Sequence, residues 1–94
     1  MACKLITFDT QGRILLIQQW KDAKTVFVWW DTEKNYICIS RQPKDDTILN
    51  EMKVDAKGRV FIPSDFREAA KASRLCVVAT MEQISLIPLV ENKK

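Results

Sequence analysis

The chain contains only two glycines, and both stand in the same local frame. Phe8-Asp9-Thr10-Gln11-Gly12-Arg13-Ile14-Leu15-Leu16 lies over Val54-Asp55-Ala56-Lys57-Gly58-Arg59-Val60-Phe61-Ile62. Each copy has an apolar residue, then Asp-x-x-Gly-Arg, then an apolar strand. The pattern predicts a tight turn between two strands, with Asp capping the turn and Gly supplying a positive φ. The match continues with Trp20 over Phe66, Lys21 over Arg67, Asp22 over Glu68 and Ala23 over Ala69. After a small slip in register, each half ends in a predicted hairpin. The first runs from Val26 to Trp30, turns between Asp31 and Asn35, and returns from Tyr36 to Ser40. The second runs from Leu75 to Thr80, turns near Met81-Glu82-Gln83, and returns from Ile84 to Leu89. A repeat of this kind dictates architecture before any single element does.

With 94 residues, the chain can bury one modest core but not two. Each half is too short to be stable alone, so the halves must pack together or against another chain. The expected organisation is a single domain over 1–94, with a first, degenerate repeat over 5–40, a linker over 41–50 and a second repeat over 51–90. Arg41-Gln42-Pro43-Lys44-Asp45-Asp46-Thr47 is polar and interrupted by proline, as a surface linker is.

Composition narrows the chemistry. Apolar residues make up 47% and charged residues 29%, which is the balance of a folded globular domain. No run of about eighteen apolar residues exists, so no membrane span is expected. The first residues lack the apolar stretch of a signal peptide, which makes the cytoplasm the default compartment. Histidine is absent, which removes Ser-His-Asp and Cys-His nucleophile systems and imidazole metal sites. Cys3, Cys38 and Cys76 form no CxxC pair, so a disulfide framework and a zinc site are not expected. Cys38 and Cys76 lie in apolar strands and read as buried reduced thiols. Asp45-Asp46 has no second ligand cluster, and Ser40, Ser64, Ser73 and Ser85 have no partner base. The expectation is no enzyme, no cofactor, no metal and no small-molecule substrate. A net charge of +3 permits an anionic partner without demanding one.

The second half carries a longer pattern, from Lys53-Val54-Asp55 through Gly58-Arg59-Val60-Phe61-Ile62-Pro63 to Phe66-Arg67-Glu68-Ala69. It resembles the signature of the AbrB/SpoVT/MazE-like swapped-hairpin family, Val-Asp-x-x-Gly-Arg-Val-x-Ile-Pro followed by an apolar residue and Arg. The first half keeps Asp9, Gly12 and Arg13 but has Ile17 where Pro63 stands. The resemblance implies a mainly β fold with short helices, a swapped-hairpin AbrB-like barrel built here from two repeated units in one chain, the MraZ-like arrangement. The family is known for DNA-binding transition-state regulators and operator-binding antitoxins. Carried over by position, the DNA-binding residues would be Arg59 and Arg67, with Lys53 ahead of the motif, Lys57 within the turn, and Arg13 and Lys21 as first-half counterparts. Glu68 and Met52 stand where AbrB tends to be basic, and Asp22 and Asp65 dilute the positive field.

Residue chemistry alone agrees in part. Pro63 suits the start of a short helix with Ser64 as N-cap, followed by an apolar stripe of Phe66, Ala69 and Ala70. Arg67, Lys71 and Arg74 are four and three positions apart and so are expected to share a helical face, and such a face is ordinarily solvated. Arginine suits phosphate or guanine recognition because its planar fork bonds bidentately. The plainer role for Arg13 and Arg59 is a turn arginine paired with Asp9 or Asp55, and the two roles can coexist. Phe27, Trp29, Trp30 and Tyr36 invite base stacking, although alternation places Trp29 and Trp30 on opposite faces, one in the core and one more exposed. Trp20, matching Phe66, reads as core.

The expected function is a nucleoid-associated, DNA-binding transcriptional regulator that meets double-stranded DNA through a basic β-rich face. The alternatives are a protein-interaction module that has kept the barrel, or an antitoxin-like protein whose partner is a toxin. Only Glu91-Asn92-Lys93-Lys94 follow the last predicted strand, which counts against an acidic toxin-wrapping tail. A second copy of the chain or another protein is the further expected partner.

Overall fold

The computed structural model describes residues 4–20, 22–43, 50–72, 74–80 and 82–89. The first half contains strands β1 (Lys4–Thr7) and β2 (Arg13–Leu15), a 3-10 turn (Gln18–Trp20), and strands β3 (Thr25–Asp31) and β4 (Tyr36–Ser40). The second contains β5 (Asn50–Lys53), β6 (Arg59–Phe61), helix α1 (Ser64–Ala70), β7 (Arg74–Ala79) and β8 (Gln83–Pro88). Strand, strand, helical turn, strand, strand thus occurs twice in the same order. The fold is mainly β and AbrB-like, an open six-stranded sheet in the order β1-β7-β8-β4-β3-β5 beside a two-stranded ribbon of β2 and β6.

The strands flanking each glycine turn do not pair with one another. They cross to the other half. β1 lies on β7, with Lys4, Leu5, Ile6 and Thr7 opposite Val77, Cys76, Leu75 and Arg74. β5 lies on β3, with Asn50, Glu51, Met52 and Lys53 opposite Val28, Phe27, Val26 and Thr25. These two registers map onto each other. β2 pairs with β6 about Ile14↔Val60, and β4 pairs with β8 about Cys38↔Ser85. Both central pairs are met by their own counterparts, so a pseudo-twofold axis passes through them. Within a half, the described strands pair only as the hairpins β3-β4 and β7-β8, with one isolated bridge, Val54↔Val60, across the second glycine turn.

Alternation along these strands builds one core. Val26, Val28, Ile37, Ile39, Leu75, Val77, Ile84 and Leu86 line one face of the sheet, and Ile14, Leu16, Trp20, Val60 and Ile62 close over it from the ribbon side. Full burial of an aliphatic or aromatic side chain is worth roughly 1.5–3 kcal/mol, so the interleaved halves share the main source of stability. Trp20 is core, as its match to Phe66 suggested, and the Arg41 guanidinium sits 5.7 Å from its ring centroid. The hairpin turn at Asp31–Asn35 forms as read: Asp31 Oδ1 accepts from the amides of Glu33 and Lys34, and Asn35 takes φ 60°.

Several local readings change. Ser64 is the first helical residue and Pro63 occupies the N-cap position, with no side-chain cap. The carbonyl of Pro63 instead accepts from the amides of Phe66 and Arg67. The helix ends at Ala70 because Lys71 turns left-handed at φ 57°, so Arg74 belongs to β7 and shares no helical face with Arg67. Within the predicted stripe, Ala70 is buried and Phe66 packs on the core, but Ala69 is exposed. Trp29 and Trp30 do face opposite ways, yet neither is a free platform: Trp29 is 6% exposed and Trp30 packs against the core. Cys38 is a buried thiol, but Cys76 is disulfide-bonded. The pairing of β1 with β7 sets Leu5 opposite Cys76, a proximity that sequence spacing does not show. No helix among the described residues is long and apolar enough to cross a membrane.

Candidate nucleic-acid interface

Each Asp-x-x-Gly-Arg turn is built identically. Asp9 Oδ1 accepts from the amides of Gln11 and Arg13 at 2.9 and 2.8 Å, while its Oδ2 accepts from Arg13 Nε at 2.9 Å. Asp55 Oδ1 accepts from the amides of Lys57 and Arg59 at 2.9 and 2.8 Å, and its Oδ2 from Arg59 Nε at 2.8 Å. Gly12 and Gly58 take φ of 81° and 80°, which a side chain would oppose. The backbone N–H of Arg13 holds the Asp9 carboxyl below its ordinary value, and that of Arg59 does the same for Asp55, each reinforced by its own guanidinium. Both carboxylates are therefore ionised wherever the arginines need partners.

The ribbon brings the two turns together. The carbonyl of Gly58 accepts from the amide of Leu16, and that of Gly12 from the amide of Ile62, so each turn is tied to the opposite strand. Ile14 and Val60 point into the core, which turns Arg13, Leu15, Arg59 and Phe61 to the opposite side. Arg13 stands opposite Phe61 and Leu15 opposite Arg59. Arg13 Nη1 also reaches Asp55 Oδ2 at 3.7 Å, the oxygen that binds Arg59 Nε. Two guanidiniums thus meet over one carboxylate oxygen close to the pseudo-twofold axis. Both arginines are partly exposed, and each has its Nε turned inward to an aspartate.

Arg67 joins the same face from α1. Its Nε donates to the carbonyl of Ile62 at 2.9 Å, and its guanidinium lies 5.4 Å from the centroid of Phe61. It also covers Gly12: a Cβ there would stand 2.6 Å from Arg67 Cζ. Arg67 is therefore an inter-half contact as well as a surface cation. Lys57 is exposed at the second turn and Lys53 is exposed at the end of β5. Lys21 lies outside the described residues. Asp9 and Asp55 balance the charge at the centre of the ribbon, and the further cations Lys53, Lys57 and Arg67 are matched in number by exposed Glu51, Asp65 and Glu68. Among the described residues, no group of three His, Cys, Asp or Glu is placed to hold a metal ion.

Leu15 and Phe61 escaped the sequence reading, which treated both as ordinary strand residues. They are 51% and 41% exposed, at equivalent positions of the two copies. Their signal was available in the turn: counting two residues past each Gly-Arg by strand alternation puts them on the arginine face.

A mainly β sheet with swapped hairpins around paired Asp-x-x-Gly-Arg turns defines an AbrB-like β fold. Residues 49–87 match the model of the MraZ protein family, whose description is antitoxin-like. The matched segment is MraZ-like and spans β5 through most of β8. No curated protein matches the chain.

Proposed function

We propose that this protein is a DNA-binding regulator in which one chain carries two MraZ-type units, the first a degenerate copy of the second. The observation that carries the reading is the ribbon on the pseudo-twofold axis, whose outward residues include Arg13 and Arg59, with Arg67 over Phe61 and Lys57 exposed in the second turn. A two-stranded β-ribbon is one of the two elements that the major groove of B-DNA admits. An exposed lysine in the turn beside a ribbon suits the phosphates that position a protein on the duplex. Swapped pairing of both units supports the duplication, because the first half supplies the strands that the matched second half needs.

The experiment is fluorescence anisotropy on mixed-sequence duplexes at two salt concentrations, with Arg59→Ala and Arg67→Ala alongside. Binding should weaken with salt and with each substitution, and each lost phosphate contact should flatten the salt slope by about one unit. Equal affinity in Arg59→Ala would remove that residue from the interface.

A protein-interaction module is the second reading. The observation favouring it is the pair of apolar side chains, Leu15 and Phe61, in the middle of a charge-balanced patch. Absence of binding to any duplex at low salt would select it.

A further inference from the structure

The ribbon face is not a uniform cationic strip. Its outward residues alternate in kind, Arg13 opposite Phe61 and Leu15 opposite Arg59. Leu15 and Phe61 are two of four large hydrophobics that stand well exposed among the described residues. A surface made for phosphate alone has no use for them, since phosphate contacts are polar and a half-exposed Leu or Phe gains nothing from an anion. The arginines between them are neutralised by Asp9 and Asp55, which lowers their pull on phosphate and fixes their direction instead. The charge that would attract a backbone lies on Arg67 beside Phe61 and on Lys57, exposed in the turn that leads into β6.

This division matches the cross-section of a major groove, with phosphates at the walls and base edges on the floor. The apolar group displayed on that floor is the C5-methyl of thymine, which takes contacts from aliphatic and aromatic side chains. Resting on the duplex-DNA reading above, we infer that Leu15 and Phe61 are specificity-determining residues that contact thymine methyl groups. Their pseudo-twofold placement sets one apolar contact on each side of the Ile14↔Val60 axis. The Arg67 guanidinium over the Phe61 ring restrains that ring before contact. Leu15, an aliphatic side chain 51% exposed, offers its apolar surface without a stacked cation, which makes it the cleaner residue to test.

The test uses the full chain. Duplexes are selected from a random-sequence pool, and the winning duplex is remade with deoxyuridine in place of thymidine, which deletes the methyl and leaves every pairing group. The inference expects binding to weaken roughly fourfold per contacted methyl, the factor that burial of one CH₂ group is worth. Leu15→Ala should bind the thymidine duplex more weakly, lose part of the thymidine–deoxyuridine difference, and keep the wild-type salt slope. Equal wild-type affinity for the two duplexes would overturn the inference and leave the DNA-binding reading standing. Failure to bind any duplex at low salt would overturn both and give the patch to a protein partner.

Discussion

Gly12 is constrained from two directions. Its φ of 81° lies in the region where a Cβ meets the following carbonyl, and an L-residue there costs roughly 1–2 kcal/mol. A Cβ would also stand 2.6 Å from Arg67 Cζ, 2.8 Å from its Nε and 2.9 Å from Nη2. The neighbour is the end of a flexible side chain, so it can move, but only by leaving Phe61 and the carbonyl of Ile62. Gly12→Ala should therefore lower stability by about 1–2 kcal/mol in denaturant unfolding, with the backbone term the larger part. Adding Arg67→Ala should remove the side-chain part and leave the backbone part, so the double variant falls short of the summed single effects. Full additivity would mean that Arg67 does not rest on the turn in solution. The need for positive φ was legible at both glycines from Asp-x-x-Gly alone. The weight of Arg67 on Gly12 was not, because it joins a helix of one half to a turn of the other.

At the scale of the element, the paired turns are the most regular feature of the molecule. Each is an aspartate accepting two backbone amides and its own arginine, and each carboxyl is held below the ordinary value of 3.8. The unfolded chain therefore takes up these protons at a higher pH than the folded one does. The resulting stabilisation is complete above the ordinary carboxylate value and is lost as pH falls through the lower folded values. Unfolding midpoints measured on acidification should show that limb, and Asp55→Asn should reduce its steepness while leaving the contribution of Asp9. An unchanged acid limb in Asp55→Asn would place the pH dependence elsewhere. These turns were readable because every contact in them is local. Helix α1 was less so: Pro63 marked its start, but its end at Lys71 is a backbone reversal into β7 that no glycine announces.

For the whole molecule, interleaving has a thermodynamic consequence. Neither half owns a complete sheet: β1 needs β7, β5 needs β3, and each ribbon strand needs its counterpart. Residues 1–43 and residues 44–94 expressed separately should each lack the full β signature in circular dichroism, and mixing them should restore it. A first-half fragment that folds by itself as a monomer would contradict the swapped pairing. The sequence by itself determined the doubled order of elements, the two turns with their aspartates and glycines, and the core placement of Trp20. These follow from alternation, turn chemistry and self-similarity, all of which act over a few residues. Only the tertiary structure decided which strands pair between the halves, that Arg13 and Arg59 meet over Asp55, that Arg67 covers Gly12, and that Leu15 and Phe61 share one exposed face. Each of those contacts joins the two halves, and their relative placement is set by the packing of a common core that neither segment encodes alone.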